Sequence, residues 1–574
     1  FFATTPTFAN KFTVTGTGNT ENRGAIRLDG GTISGNITLA GNTTFGNSGS
    51  NVAATFSGVI SGAFGIAGAA TTGTGTSFVL SGPNTYTGVT SINKLFRVTT
   101  LSNYGVAGAL GARTLAQETA SGDGIGIAFR GGTLQYTGAT PQSTDRQIRI
   151  STAGGIIDAS GSVPGATVNF TKTGANINLF DTAGARTLTL TGTNTGANTF
   201  AMRLTDQNAS TGKTSLTKTG AGKWVLTAAD STFSGGVDIS AGQLWITNGA
   251  ALGAGTKTIT LSNGTNGNPQ LHLDGSAGDI TLPATFTYRT SNTSSATSAS
   301  IVNQAGNNTV NGNFILTSGG GGTRLLSNAG KITFTGNFTP DTTGRTLDLR
   351  GAGDGEIQGV IANGSTVNLP VTKSGAGTWT LSGPNTYTGT TRVTEGRLYL
   401  NGATPAAGLI DVSALATLAG GGSGGVVTLA DTAVLSPGNA AFTDNNLLLA
   451  SLTLEAGSVL DYELGAPNDD PVTTVNDLVR VTGSLTFGGV LNVSARPGFA
   501  TAASGDRWVL MTFPAGNLLQ SGVTLGSTPA LTPGLSLLIE PDDANGAVYL
   551  TVVPEPAAGI LLALGLLLVW FRKR

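Results

Sequence analysis

The sequence contains no cysteine, which excludes a disulfide framework and a thiolate zinc site. It contains one histidine, His272, so few metal or nucleophile constellations can be assembled around an imidazole. Charge is scarce as well. Only 11% of residues are charged, and 30 Lys and Arg against 31 Asp and Glu leave a net charge of −1. A chain without a basic excess lacks the surface that supplies most nucleic-acid affinity, so no nucleic-acid partner is expected. No amphipathic helix is recognised before the last 20 residues. Glycine-rich runs such as Gly421 to Gly425 lack the following helix and Lys-Ser/Thr of a phosphate loop, so they are compositional.

What is abundant is glycine, 88 residues in 574 and roughly twice ordinary usage. Such a composition fits either disorder or many short strands joined by tight turns, where glycine supplies positive φ angles. Hydrophobic residues at 39% and a near-zero net charge favour strands. So does the alternation of Thr, Val, Ile and Leu. The chain begins Phe1-Phe2 without Met, which reads as a fragment or processed form with any export signal upstream.

The chain repeats itself. The nonamer LSGPNTYTG runs from Leu80 to Gly88 and again from Leu381 to Gly389. Gly58-Val59-Ile60 and Gly359-Val360-Ile361 precede the two copies by the same distance. A looser copy, LTAADSTFSG from Leu226 to Gly235, has Phe233 in the Tyr position and lacks the Gly-Val-Ile. KTGAGKWVL (Lys218 to Leu226) and KSGAGTWTL (Lys373 to Leu381) lead into two copies, while the first copy carries Phe78 where Trp224 and Trp379 stand. Downstream, Val237 and Ile239 share one face, and Leu244 and Ile246 share one with Trp245 opposite. Glycine every few residues breaks this alternation, which predicts short strands and tight turns. The segment from Gly359 to Gly402 fits two coils of a stacked solenoid. The competing architecture, a string of antiparallel β-sandwiches, requires hairpins and independent domains.

These motifs resemble the autotransporter-associated β-strand repeat family. Its Lys-Thr-Gly-x-Gly, Asn-Thr-Tyr-Thr-Gly and Gly-x-Leu pattern matches Lys373 through Leu398 almost completely. It matches Lys218 through Leu244 with Ser231-Thr232-Phe233 replacing Asn-Thr-Tyr, and residues 58–98 with a degraded Lys-Thr-Gly. The resemblance implies an all-β fold, a right-handed parallel β-helix or β-solenoid. It assigns residues 1–404 to the helix, with clear copies at 58–98, 218–249 and 359–402. Residues 405–552 depart from the family, because the alternating strands of a membrane β-barrel are missing. They read instead as a C-terminal closing module that hides the last open edge.

Residues 553–574 form a three-part tail. Pro554, Glu555 and Pro556 precede an apolar run from Ala557 to Phe571, followed by Arg572, Lys573 and Arg574. The run is a C-terminal transmembrane or sorting helix whose basic end stays cytoplasmic. The tail resembles the PEP-CTERM sorting signal. That resemblance implies transient residence in the inner membrane and cleavage near Pro554-Glu555-Pro556 by an exosortase-type transpeptidase. It then implies transfer to the outer surface or extracellular matrix of a Gram-negative bacterium. Partners there would be extracellular polysaccharide or other surface proteins.

No catalytic residue, metal site or cofactor is expected. His272, between Leu271 and Leu273, reads as a solvent-facing strand residue. The densest acidic group, Asp469, Asp470 and Asp477, reads as a solvated loop, the alternatives being a weak Ca²⁺ site or a catalytic cluster. Trp224, Trp379, Trp245, Tyr86, Tyr387 and Tyr399 are read as exposed aromatics that recur at fixed repeat positions and form stacked ladders inside or along the rod, with sugar stacking as the functional alternative. The sequence reading is therefore a non-catalytic secreted surface or matrix protein. The alternative is a secreted polysaccharide-acting β-helix enzyme, a lyase or glycosidase.

Overall fold

The computed structural model describes residues 6–20, 23–47, 52–69, 77–120, 124–262, 267–291, 298–317, 322–341, 345–438, 446–471 and 476–555. The chain divides into two compact units, Phe1–Gly336 and Asn337–Arg574.

In the first unit, short strands from successive coils pair in parallel, which discards the antiparallel sandwich. One sheet places Leu216, Val237, Ile259, Tyr288 and Phe314 in register. A second aligns Trp224, Leu244, Leu271, Ile301 and Leu325. A third aligns Thr43, Ile66, Thr90, Ile127 and Ile148. All fifteen side chains are buried. Period-2 alternation sends one face of every strand inward, and parallel register stacks like upon like. Each large apolar side chain so buried contributes roughly 1.5–3 kcal/mol.

In this unit an insertion, residues 99–126, separates the strands Leu95–Val98 and Ile127–Phe129. It carries the short α-helix Leu115–Ala120, which the sequence reading did not anticipate. Thr114 and Gln117 start it as a capping box. The Gln117 Oε1 accepts from Thr114 N at 2.8 Å, and the Thr114 Oγ1 accepts from Gln117 N at 3.3 Å. Buried arginines clamp the insertion. Arg113 donates to the carbonyls of Thr87 and Gly124, and Arg146 to those of Leu110 and Gly111.

The second unit repeats the design. Trp379, Leu398, Leu418, Leu435, Leu460 and Leu491 form one buried inward column. Above Trp379 the register position is Gly355. A Cβ there would lie 2.5 Å from the indole, so only glycine leaves the ring its space. Parallel pairing continues to Leu485–Ala495 on Leu518–Leu525. The pairing then reverses, because Arg507–Thr512 and Leu535–Asp542 both pair antiparallel with Ala547–Pro554.

Candidate functional site

The repeated motif residues converge on the interior of the coil. Lys218 is fully buried, and its Nζ donates to the carbonyls of Thr219, Gly220 and Ala241 at 2.7, 2.8 and 2.9 Å. Lys373 is equally buried and donates to Ser374, Gly375 and Glu395 at 3.2, 2.6 and 2.9 Å. In each case two carbonyls belong to the lysine's own turn and the third to the turn one coil on. Gly220 and Gly375 complete those turns at φ 68° and 78°, where other L-residues are strained. Burial pushes the Lys218 amine down to about 7 and Lys373 down to about 8. The carbonyls replace the water that the ammonium has lost. The corresponding turn of the first copy, residues 73–76, lies outside the described residues.

The nonamer and its Gly-Val-Ile lead-in are two halves of one contact between coils. Asn84 Oδ1 accepts from Ile60 N at 2.8 Å, and Asn385 Oδ1 from Ile361 N at 3.0 Å. The Ile60 carbonyl accepts from Thr85 N and Tyr86 N, and that of Ile361 from Thr386 N and Tyr387 N. The loose copy keeps this geometry with different residues. Ser231 Oγ accepts from Leu204 N at 3.1 Å, while the Leu204 carbonyl accepts from Thr232 N and Phe233 N. Leu204 is thus the counterpart that the missing Gly-Val-Ile concealed.

The aromatic residues require a correction. Trp224, Trp379, Tyr86 and Tyr387 are not exposed but buried. Trp224 Nε1 donates to the Thr191 carbonyl, and Trp379 Nε1 to that of Arg350. Tyr86 and Tyr387 share hydroxyl hydrogen bonds with Thr90 and Thr391 at 2.6 and 2.7 Å. At Phe233, which has no hydroxyl, Lys257 Nζ sits 3.8 Å over the ring instead. These rings fill the core and cannot meet an external ligand. Trp245 and Tyr399 lie half-buried on the outer face. Lys223 Nζ covers the Trp245 ring at 3.3 Å, and Arg397 donates to the Tyr399 hydroxyl.

His272 is not solvent-facing in effect, since it is only 4% exposed. Its ring stacks on Trp245 at 4.6 Å and 6°. Gln304 Nε2 donates to Nδ1 at 2.8 Å, and Nε2 faces Gln270 Oε1 at 3.2 Å, which fits a neutral ring protonated on Nε2. Burial, then the Lys223 charge, push its pKa down to about 3. The acidic group also separates. Asp477 is buried, accepts from Glu463 N and pairs with Arg496 at 3.1 Å. Burial pushes its pKa up to about 7. Asp469, exposed, pairs with Arg507 at 2.9 Å, and Asp470 is exposed beside it. Among the described residues, no three His, Cys, Asp or Glu side chains group as a metal site.

Pro554 ends the strand Ala547–Pro554, and Glu555 N donates to the Gly534 carbonyl at 2.8 Å. Both are exposed. Pro556, the apolar run 557–571, Arg572, Lys573 and Arg574 lie outside the described residues. Among the described residues no helix is long and apolar enough to cross a membrane.

The class defined by this geometry is an all-β protein of stacked parallel coils, stitched by an internal lysine and an Asn or Ser bracket. Two stretches, 216–246 and 371–400, match the passenger-associated-transport-repeat model. They coincide with the two copies that carry Lys218 and Lys373. The chain is 33% identical over 389 residues to the adhesin BmaC autotransporter of Brucella suis biovar 1 (strain 1330), a match covering 65% of this chain. That match spans 10% of the relative's length. The crystal structure of the Haemophilus influenzae Hap adhesin aligns over 92% of this chain and 64% of that chain, at 10% identity and a TM-score of 0.34.

Proposed function

We propose that this chain is a non-catalytic structural or adhesive protein of a Gram-negative cell surface, displayed as a β-solenoid. One observation carries this reading: the two repeat lysines, the single histidine and the buried carboxylate of the closing module are consumed by the coil. Lys218, Lys373, His272 and Asp477 are buried and bonded to neighbouring turns or side chains. The likeness to an autotransporter adhesin and the two repeat matches support export and adhesion. The general rule for parallel crossovers makes the coil right-handed. Residues 405–552 act as its closing module, because the final antiparallel strands end parallel stacking.

The tail completes the proposal. The run 557–571 and the basic Arg572, Lys573 and Arg574 hold the precursor in the inner membrane. An exosortase-type transpeptidase then cuts near Pro554-Glu555-Pro556. The test is the intact mass of the mature protein from the surface fraction of a native producer, with the motif intact or replaced by alanines. Loss of about 20 terminal residues only with the motif intact supports the reading. An uncut tail in both, in a cytoplasmic protein, overturns it.

A further inference from the structure

In the first unit, one column of the coil carries small side chains at four of its five rungs, and three of those four are half-buried at the surface. Thr44, Ala67, Ser91, Ala128 and Arg149 occupy successive register positions, Ala128 being buried and not part of the groove lining. Where the small residues recur, the surface sinks into a groove of about 660 Å³. Arg113 and Gln117 reach it from the insertion, and Phe64, 40% exposed, also lines it.

The charge of this groove is one-sided. Arg113, Arg130 and Arg149 all line it, and none of its described lining residues is acidic. The guanidinium carbons of Arg130 and Arg149 lie 4.6 and 4.8 Å from the centroid of the same ring, Phe180. That ring holds two like charges together. The carboxylate of Asp181 lies 3.6 Å from Arg130 but does not line the groove. A chain with 30 basic and 31 acidic residues has thus placed three cations around one groove, of which Arg113 is buried and bonded to main-chain carbonyls.

We propose that this groove binds a carboxylate-bearing glycan chain, laid along the coil axis. This deepens the surface role proposed above and rests on it. Arg130 and Arg149 select an anion, and their planar guanidinium groups suit a carboxylate. From Thr44 to Arg149 the column spans four rung intervals, roughly 19 Å at about 4.8 Å each, which calls for an extended ligand. A peptide would bind best by adding a strand to an open edge. The strands under the groove are already paired on both sides. The hydroxyls of Thr44 and Ser91, the Gln117 amide and the Phe64 ring instead suit sugar hydroxyls and C–H faces.

The test is calorimetric titration of the full chain with hexagalacturonate, with cellohexaose as the uncharged chain and poly-glutamate as the acidic peptide. Hexagalacturonate binds, at least tenfold tighter than either control, and weakens at high salt. R130Q, at a side chain 47% exposed, weakens it on the order of tenfold. S91W keeps every charge, fills the floor and abolishes binding, with unchanged thermal melting as the folding control. No binding, or equal binding of cellohexaose, overturns the proposal. Equal binding of poly-glutamate replaces the glycan by an acidic peptide and also overturns it. Binding indifferent to both R130Q and S91W overturns the location. Protease shaving of intact cells scores surface display separately, so failure of the surface role and failure of the groove give different results.

Discussion

Lys373 Nζ donates to the main-chain carbonyl of Glu395, 2.9 Å away and one coil further on. The same amine also holds the carbonyls of Ser374 and Gly375. One side chain therefore bonds to two successive turns, beside the main-chain ladder that also joins them. Lys373→Met keeps the aliphatic stem and removes all three donors. The unpaired carbonyls cost about 1 kcal/mol or more each, partly offset by no longer burying a charge, so a net loss of about 2 kcal/mol is expected. Urea unfolding followed by the fluorescence of the nearby Trp379 measures it. A midpoint equal to wild type would show that the clamp contributes nothing.

Gly355 and Trp379 make a second coupled pair. Gly355→Ala places a methyl group 2.5 Å from the indole, and overpacking of this kind costs about 1–3 kcal/mol. Trp379→Leu leaves a cavity and also destabilises. The double variant should lose less than the sum, because the smaller side chain makes room for the methyl. Strict additivity in a thermodynamic cycle would mean that the glycine serves the backbone and not the ring.

His272 predicts sensitivity to acid in the first unit. Its pKa is pushed down to about 3 in the fold, against an ordinary value of 6.5. Between these values the unfolded chain binds the proton and the folded chain does not. Stability therefore falls as pH drops from about 6.5 towards 3, with a slope approaching about 1.4 kcal/mol per pH unit. His272→Gln removes this component and flattens the dependence between pH 6 and pH 4. Parallel curves for the two proteins would refute the assignment.

Much of the coil was legible in the residues, and the limits have physical reasons. Alternation announced that Val237 and Ile239 turn inward, and they do. The same rule puts Trp224 with Leu226, and Trp379 with Leu381, on one inward face, so the burial of both tryptophans could have been read. The buried lysines could not be read that way, since lysine is almost never fully buried. Their repetition before Gly220 and Gly375 was the available clue. Thr114-x-x-Gln117 was a legible helix start. The stacking of His272 on Trp245 and the gathering of Arg113, Arg130 and Arg149 depend on register between coils of unequal length, which no local pattern supplies.

The two forms of the bracket between coils, asparagine and serine, rank themselves. Asn385 accepts from Ile361 N and donates its Nδ2 to the Gly383 carbonyl at 2.9 Å, so its amide serves both coils. Ser231 has only a hydroxyl, which accepts from Leu204 N. Asn385→Ala should therefore cost about 2 kcal/mol and Ser231→Ala about 1 kcal/mol, one buried hydrogen bond separating them. Asn385→Ser should fall between wild type and alanine, because the serine hydroxyl can reproduce the contact seen at Leu204. Chemical denaturation of the three variants gives the order. If Asn385→Ser proves as damaging as Asn385→Ala, the two copies do not share one bracket, and their common backbone geometry has another cause.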